Sequence, residues 1–300
     1  MKRQLIPVLF ALALLPVTAT ASMRIFSCEP EWASLLAELA GGHAEVFTAT
    51  TAQQDPHYIQ ARPSLIAQMR RADLVVCTGA GLESGWLPVL MARGGNPGVK
   101  PGTDGYFEAA DYVPMRDVPR RLDRAEGDIH ARGNPHIQLD PHNIQRVAQV
   151  LGERLVTLDP GNAADYRQRL EDFSRRWEDA LQRWETEAAS LKGMPIVVHH
   201  DSWSYLNHWL GLNQVGTLEP KPGIPPNSGH LAELLDTLKS TQARAIIRAP
   251  FEEARASEWL SKRTGIMMLE LPYTVGGNTQ ATDLFGLFDS TIGLLQGAQP

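Results

Sequence analysis

The sequence predicts an α/β fold of two lobes, each a mainly parallel sheet covered by helices, joined by one long rigid helix. Three observations predict it. Short β-rich runs alternate with helical runs in both halves of the chain, as in parallel sheets with crossover helices. A long stretch with apolar residues at steps of three and four separates the halves. The chain has 300 residues, 43% of them apolar, enough for about two domains at roughly 100–200 residues each.

The first residues belong to neither lobe. MKRQLIPVLFALALLPVTATAS opens with Lys2 and Arg3, runs apolar from Leu5 to Val17, and ends in Ala19-Thr20-Ala21. That is the pattern of a cleavable secretory signal over residues 1–21. A membrane anchor is the weaker alternative, because the run is short of the roughly 20 apolar residues a span needs and contains prolines. The mature chain is expected to be soluble and exported.

An N-terminal lobe over residues 22–158 follows. MRIFSC, AEVFTAT, DLVVCTG and the weaker YFEAADYV read as extended runs; EWASLLAELAGG, SLIAQMRRA, WLPVLMARGG and NIQRVAQVLGERLV read as helices. Residues 159–192 form the linking segment, where Tyr166, Leu170, Phe173, Trp177, Leu181, Trp184, Ala188 and Leu191 share one face and Gly193 supplies the stop. At about 1.5 Å per residue a helix from Ala163 to Leu191 is roughly 40 Å long, enough to run along both lobes and hold their orientation. The competing reading is a long surface helix of one domain. A C-terminal lobe over residues 193–300 repeats the alternation from PIVVHH to the helix ATDLFGLFDSTIGLLQG, without any internal sequence repeat. RDVPRRLDRAEGDIHARGNP, residues 116–135, is charged, broken by Pro and Gly, and lacks an apolar period. It reads as a mobile loop.

Charge narrows the function classes. The net charge is −6, more negative once Lys2 and Arg3 are removed, and no basic run offers a nucleic-acid or anionic-membrane surface. Cys28 and Cys77 each lie near the end of a strand-like run. An oxidising compartment permits a bridge between them, with two buried free thiols as the alternative.

Of nine histidines, His43, His142, His208 and His230 need no more than surface or packing roles. His57 in QDPHYIQ and His136 in GNPHIQ each follow a proline turn that pins the backbone just before the ring. His199 and His200 close the strand PIVVHH at its C-terminal end, where open α/β sheets place ligand crevices. The sequence has no GxSxG elbow, HExxH helix or CxxC pair that would point to catalysis. Three neutral imidazoles suit Zn²⁺, at about 2.0–2.1 Å per bond, with a fourth position for a carboxylate or water.

Three segments resemble the cluster A-I (cluster 9) solute-binding proteins of bacterial zinc and manganese ABC importers. They are DPHYIQARPSLIAQMRRADLVVCTGAGLESGWL, NPHIQLDPHNIQRVAQVLGERLVTLDPGNAADY and VVHHDSWSYL, in family order and spacing. The resemblance implies a periplasmic protein that captures zinc and delivers it to a membrane permease, with a periplasmic metallochaperone as a further candidate partner and a monomer as the expected state. It implies His57, His136 and His200 as ligands, and leaves His199 to packing or support. Many members carry a fourth ligand, an Asp, where this chain has Leu271 in LELPYTVGG. Glu270, His130 and Asp128 are the candidates to replace it. A set of three histidines favours Zn²⁺ over the harder Mn²⁺. The competing readings are a zinc hydrolase with an open three-histidine site and a manganese-binding or adhesin-type member of the same family.

Overall fold

A computed structural model describes residues 22–299 apart from 124 and 126. The secretory signal expected at 1–21 lies outside the described residues.

The first four strands are β1 (Met23–Ser27), β2 (Ala44–Thr48), β3 (Leu74–Cys77) and β4 (Tyr106–Glu108), all parallel, in the order β2-β1-β3-β4. The second four are β5 (Pro195–Val198), β6 (Asn213–Thr217), β7 (Ala245–Arg248) and β8 (Met267–Glu270), again parallel, in the order β6-β5-β7-β8. The two sheets thus share one topology, although no sequence repeat announces it. In both, the strand order reverses beside the first strand, the place where such sheets open a crevice at their carboxyl ends. In the first sheet the strand ends there carry Cys28 and Cys77, joined as a disulfide with Cα atoms 4.8 Å apart. In the second, His199 and His200 follow β5.

Strands such as LVVC are buried at every position, as expected where helices cover both faces of a parallel sheet. The outer face of the first sheet packs on α2 (Pro63–Arg71) and α3 (Leu87–Gly94). The outer face of the second packs on α7 (Ser228–Leu238) and α8 (Ala254–Thr264). Between the sheets one continuous apolar core takes in α1 (Pro30–Ala40), α4 (Pro141–Leu158), α5 (Ala163–Glu187), α6 (Ser204–Leu210) and α9 (Leu284–Gln296). Proline in the first turn starts α1, α2 and α4, where its missing N–H has no helical partner to lose.

The linking helix α5 ends at Glu187 and is continued by a tighter turn over Ala188–Leu191, so the α-helix proper is slightly shorter than its apolar period suggests. Its Trp177 and Trp184 are fully buried and meet Phe285 and Phe288 of α9. An apolar junction of this kind opposes wide swinging of the lobes.

The loop over residues 116–135 crosses from one lobe to the other. The Asp128 N–H donates to the Pro222 carbonyl at 2.9 Å, and the Asn134 N–H to the Arg116 carbonyl at 2.8 Å. At Gly127 φ is +87°, and a Cβ would stand 2.2 Å from the Pro222 oxygen. Only glycine fits that crossing.

Candidate metal centre

His57, His136 and His200 come from three separate segments and both lobes, yet each offers a ring nitrogen that lies within 4.8 Å of the others. Local turns place them. Asp55 Oδ1 accepts from the His57 N–H at 2.9 Å, and the Trp86 indole N–H holds the Pro56 carbonyl at 2.8 Å. Asn134 Oδ1 likewise accepts from the His136 N–H at 3.0 Å. The same Asn134 donates through Nδ2 to the Asp201 carbonyl at 2.8 Å, and its own carbonyl accepts from the Tyr205 hydroxyl at 3.0 Å. The turn carrying His136 is therefore fastened to the segment carrying His200.

Each ring has its Nδ1 engaged. His57 Nδ1 lies 2.7 Å from Asp55 Oδ1, His200 Nδ1 lies 2.7 Å from Glu219 Oε2, and His136 Nδ1 meets the Tyr273 hydroxyl. With Nδ1 as the donor in each pair, the neutral tautomer leaves every Nε2 with its lone pair free, the arrangement that prepares imidazole for a metal.

The electrostatics differ from ring to ring. Burial lowers the His136 pKa well below its usual value, with the neighbouring imidazoles adding to the shift. Burial also opposes charge on His200, but the hydrogen bond and charge of Glu219 outweigh it and raise that ring's pKa. Asp55 is held below the usual carboxylate range, since its bonds to His57 outweigh the effect of burial.

His130, from the interlobe loop, brings its Nε2 to 3.2 Å from His57 Nε2. Burial first, and then the neighbouring His57, lower its pKa to about 4. The two ring nitrogens lie at hydrogen-bonding distance, and which of them donates depends on the tautomer. Asp128 instead accepts from the Tyr58 hydroxyl, and Glu270 pairs with Arg248 on the adjacent strand. None of the three, His130 included, belongs to the group of ligand atoms that all lie within 4.8 Å of one another. Leu271, at the expected fourth-ligand position, is fully buried.

Sequence reasoning missed the supporting partners. Asp55 had a signal, since it stands two residues before His57 in the same proline turn. Glu219 and Tyr273 had none, because they reach the rings only through folding. Glu252 was also missed: burial raises its carboxyl pKa to about 8, and its Oε1 is buried without a hydrogen-bond partner. His199, next to His200, keeps its Nδ1 unbonded and turns to a different concavity.

The chain is similar to known proteins of one kind. The family model described as "ZnuA: Zinc-uptake complex component A periplasmic" matches residues 25–298. A "High-affinity zinc uptake system protein ZnuA" of Haemophilus ducreyi is 23% identical over 272 residues, covering 87% of each chain. The protein of that name from Brucella abortus is 24% identical over 136 residues, 44% of this chain and 41% of the relative. The chain thus spans about two fifths of the length of the Brucella relatives it matches. Among solved structures, one described as "Crystal structure of ZnuA" superposes with a TM-score of 0.75 at 22% identity, covering 91% of this chain and 99% of the other. That likeness carries the two-lobed fold. With the family model matched over nearly all the described residues, the chain belongs to the family of periplasmic zinc-uptake complex component A.

Proposed function

We propose that this chain is the periplasmic zinc-binding component of an ABC importer. It captures Zn²⁺ at His57, His136 and His200, takes His130 as fourth ligand, and delivers the ion to a membrane permease. The N-terminal pattern supports export through a cleavable signal. The observation that carries the reading is the convergence of three imidazoles from both lobes, each with Nδ1 already engaged. Nitrogen donors with no carboxylate among them suit Zn²⁺ better than Mn²⁺. Asp55 and Glu219 lie one hydrogen bond behind the rings, where their charge balances the cation without occupying a coordination position. Zinc here is cargo, and the work of the site is capture and release rather than turnover.

Titration of metal-stripped protein against a competing chelator tests the site. The wild type should bind one Zn²⁺ in preference to Mn²⁺. His57→Ala, His136→Ala and His200→Ala should each weaken binding by about 100-fold or more, since even supporting partners of ligating histidines are worth about 10–100-fold. His130→Ala should lose less, because water can fill a fourth position. Near-normal zinc affinity in the three variants would remove the proposed site.

A further inference from the structure

After β8 the chain leaves the second sheet and is fastened to the N-terminal lobe. Leu271 is still held at the sheet, where its N–H donates to the Arg248 carbonyl at 3.0 Å. Beyond it the bonds cross between lobes. The Thr274 hydroxyl donates to Glu31 Oε2 in the first turn of α1, and Gln53 Nε2 donates to the Gly276 carbonyl at 3.2 Å. The Gly277 N–H closes a turn on the Thr274 carbonyl at 3.0 Å, and a Cβ at Gly277 would stand 2.8 Å from Pro272 Cα. Residues 271–277 thus form a tight strap that starts on the C-terminal sheet and is tied down on the other lobe.

The strap carries a group to the metal centre. The Tyr273 hydroxyl meets His136 Nδ1, and the buried Tyr273 ring stands edge-to-face with Phe251 and Trp203, at centroid distances of 5.3 and 6.2 Å. Thr274 is the next residue, so its bond to Glu31 fixes the backbone from which the phenol projects. Glu31 is a firm anchor. It is buried, and its helix packs Trp32, Leu35 and Leu36 into the central core. Breaking the bond would strand a buried hydroxyl and a buried carboxyl, which is costly. With Leu271 buried at the expected fourth-ligand position, the strap supplies a support for His136 from the segment where a ligand was expected.

We propose that Glu31 is a positioning residue for zinc: through Thr274 it holds the strap so that the Tyr273 oxygen accepts from His136 Nδ1–H, which leaves His136 Nε2 for the metal. The inference rests on the zinc-binding reading of the centre and adds to it a determinant in α1. Anchor and ligand both belong to the N-terminal lobe, whereas the strap belongs to the other. Moving the lobes apart therefore withdraws the phenol from His136 and loosens the site.

Zinc affinity in a chelator competition, together with NMR of the histidine ring nitrogens in metal-free protein, tests the role. In the wild type His136 should show a protonated Nδ1 and a bare Nε2. Tyr273→Phe, Thr274→Val and Glu31→Ala should each mix the two tautomers and weaken zinc binding by about tenfold, the lower range for losing a partner of a ligating histidine. Glu31→Gln keeps an acceptor for Thr274 and should restore both readouts. Glu31→Ala combined with Tyr273→Phe should cost no more than Tyr273→Phe alone, because both act on one bond. Thr274→Val preserves side-chain shape, so the test stands even where Glu31→Ala does not fold. Unchanged affinity in Tyr273→Phe or Thr274→Val overturns the proposal, as do fully additive losses, an unaltered His136 tautomer, or a Glu31→Gln as weak as Glu31→Ala. His136→Ala separates the two readings. Retained zinc affinity there removes the centre itself, whereas lost affinity there with intact strap variants removes only the positioning role.

Discussion

At the residue scale, three imidazoles are prepared by three different partners: a carboxylate two residues away, a carboxylate 19 residues away and a phenol 137 residues away. The rigid turns before His57 and His136 were legible, because proline acts on its immediate neighbours. The choice between His199 and His200 was not legible from strand parity, which says only that adjacent side chains point to opposite faces. The fold brings His200, and not His199, into the three-nitrogen group and gives it the Glu219 carboxylate. Replacing that carboxylate tests its role. Glu219→Gln keeps the shape and removes the charge, so zinc affinity in a chelator competition should fall by about 10–100-fold while the thermal midpoint without zinc changes little. An unchanged affinity would show that Glu219 does not orient or polarise His200.

At the element scale, helix period located α1, α4 and α5 well, since it is a local property of the chain. Strand order was not local, and neither was the contact that ties α1 to the C-terminal lobe. Glu31, in the first turn of α1, is buried and accepts from the Thr274 hydroxyl beyond β8. Burial raises its pKa from 4.5 to about 7, against the opposing effect of the Thr274 hydrogen bond. The folded chain therefore keeps a proton that the unfolded chain releases above about 4.5. Wherever the folded state binds more protons, stability falls as pH rises, so this contribution is present at low pH and lost as pH rises towards 7 and beyond. Glu31→Gln should flatten that dependence: measured by thermal melts, the variant gains on the wild type between pH 5 and pH 8. Parallel pH profiles for the two proteins would refute the assignment. The same burial raises Glu83 to about 7, so a residual slope in the variant is expected.

At the scale of the whole molecule, a single apolar core running through both lobes and α5 keeps the histidine-bearing segments in register. The centre should consequently be ready for metal in the folded state and absent from the unfolded one. Zinc should then raise the melting temperature by mass action, with about 2.7 kcal/mol gained when free metal is 100 times the dissociation constant. Differential scanning calorimetry across a zinc series checks this, and a melting temperature that stays constant at saturating zinc would count against a native-state site. Alternation of strand and helix, the amphipathic period of Tyr166 to Leu191 and the proline turns before two histidines were determined by the sequence alone, because each is set by neighbours along the chain. The shared strand order of the two sheets, the approach of His130 to His57, and the partners Glu219 and Tyr273 were decided only by the tertiary structure. Those depend on which distant surfaces bury one another, and packing across tens to hundreds of residues leaves no local period to read.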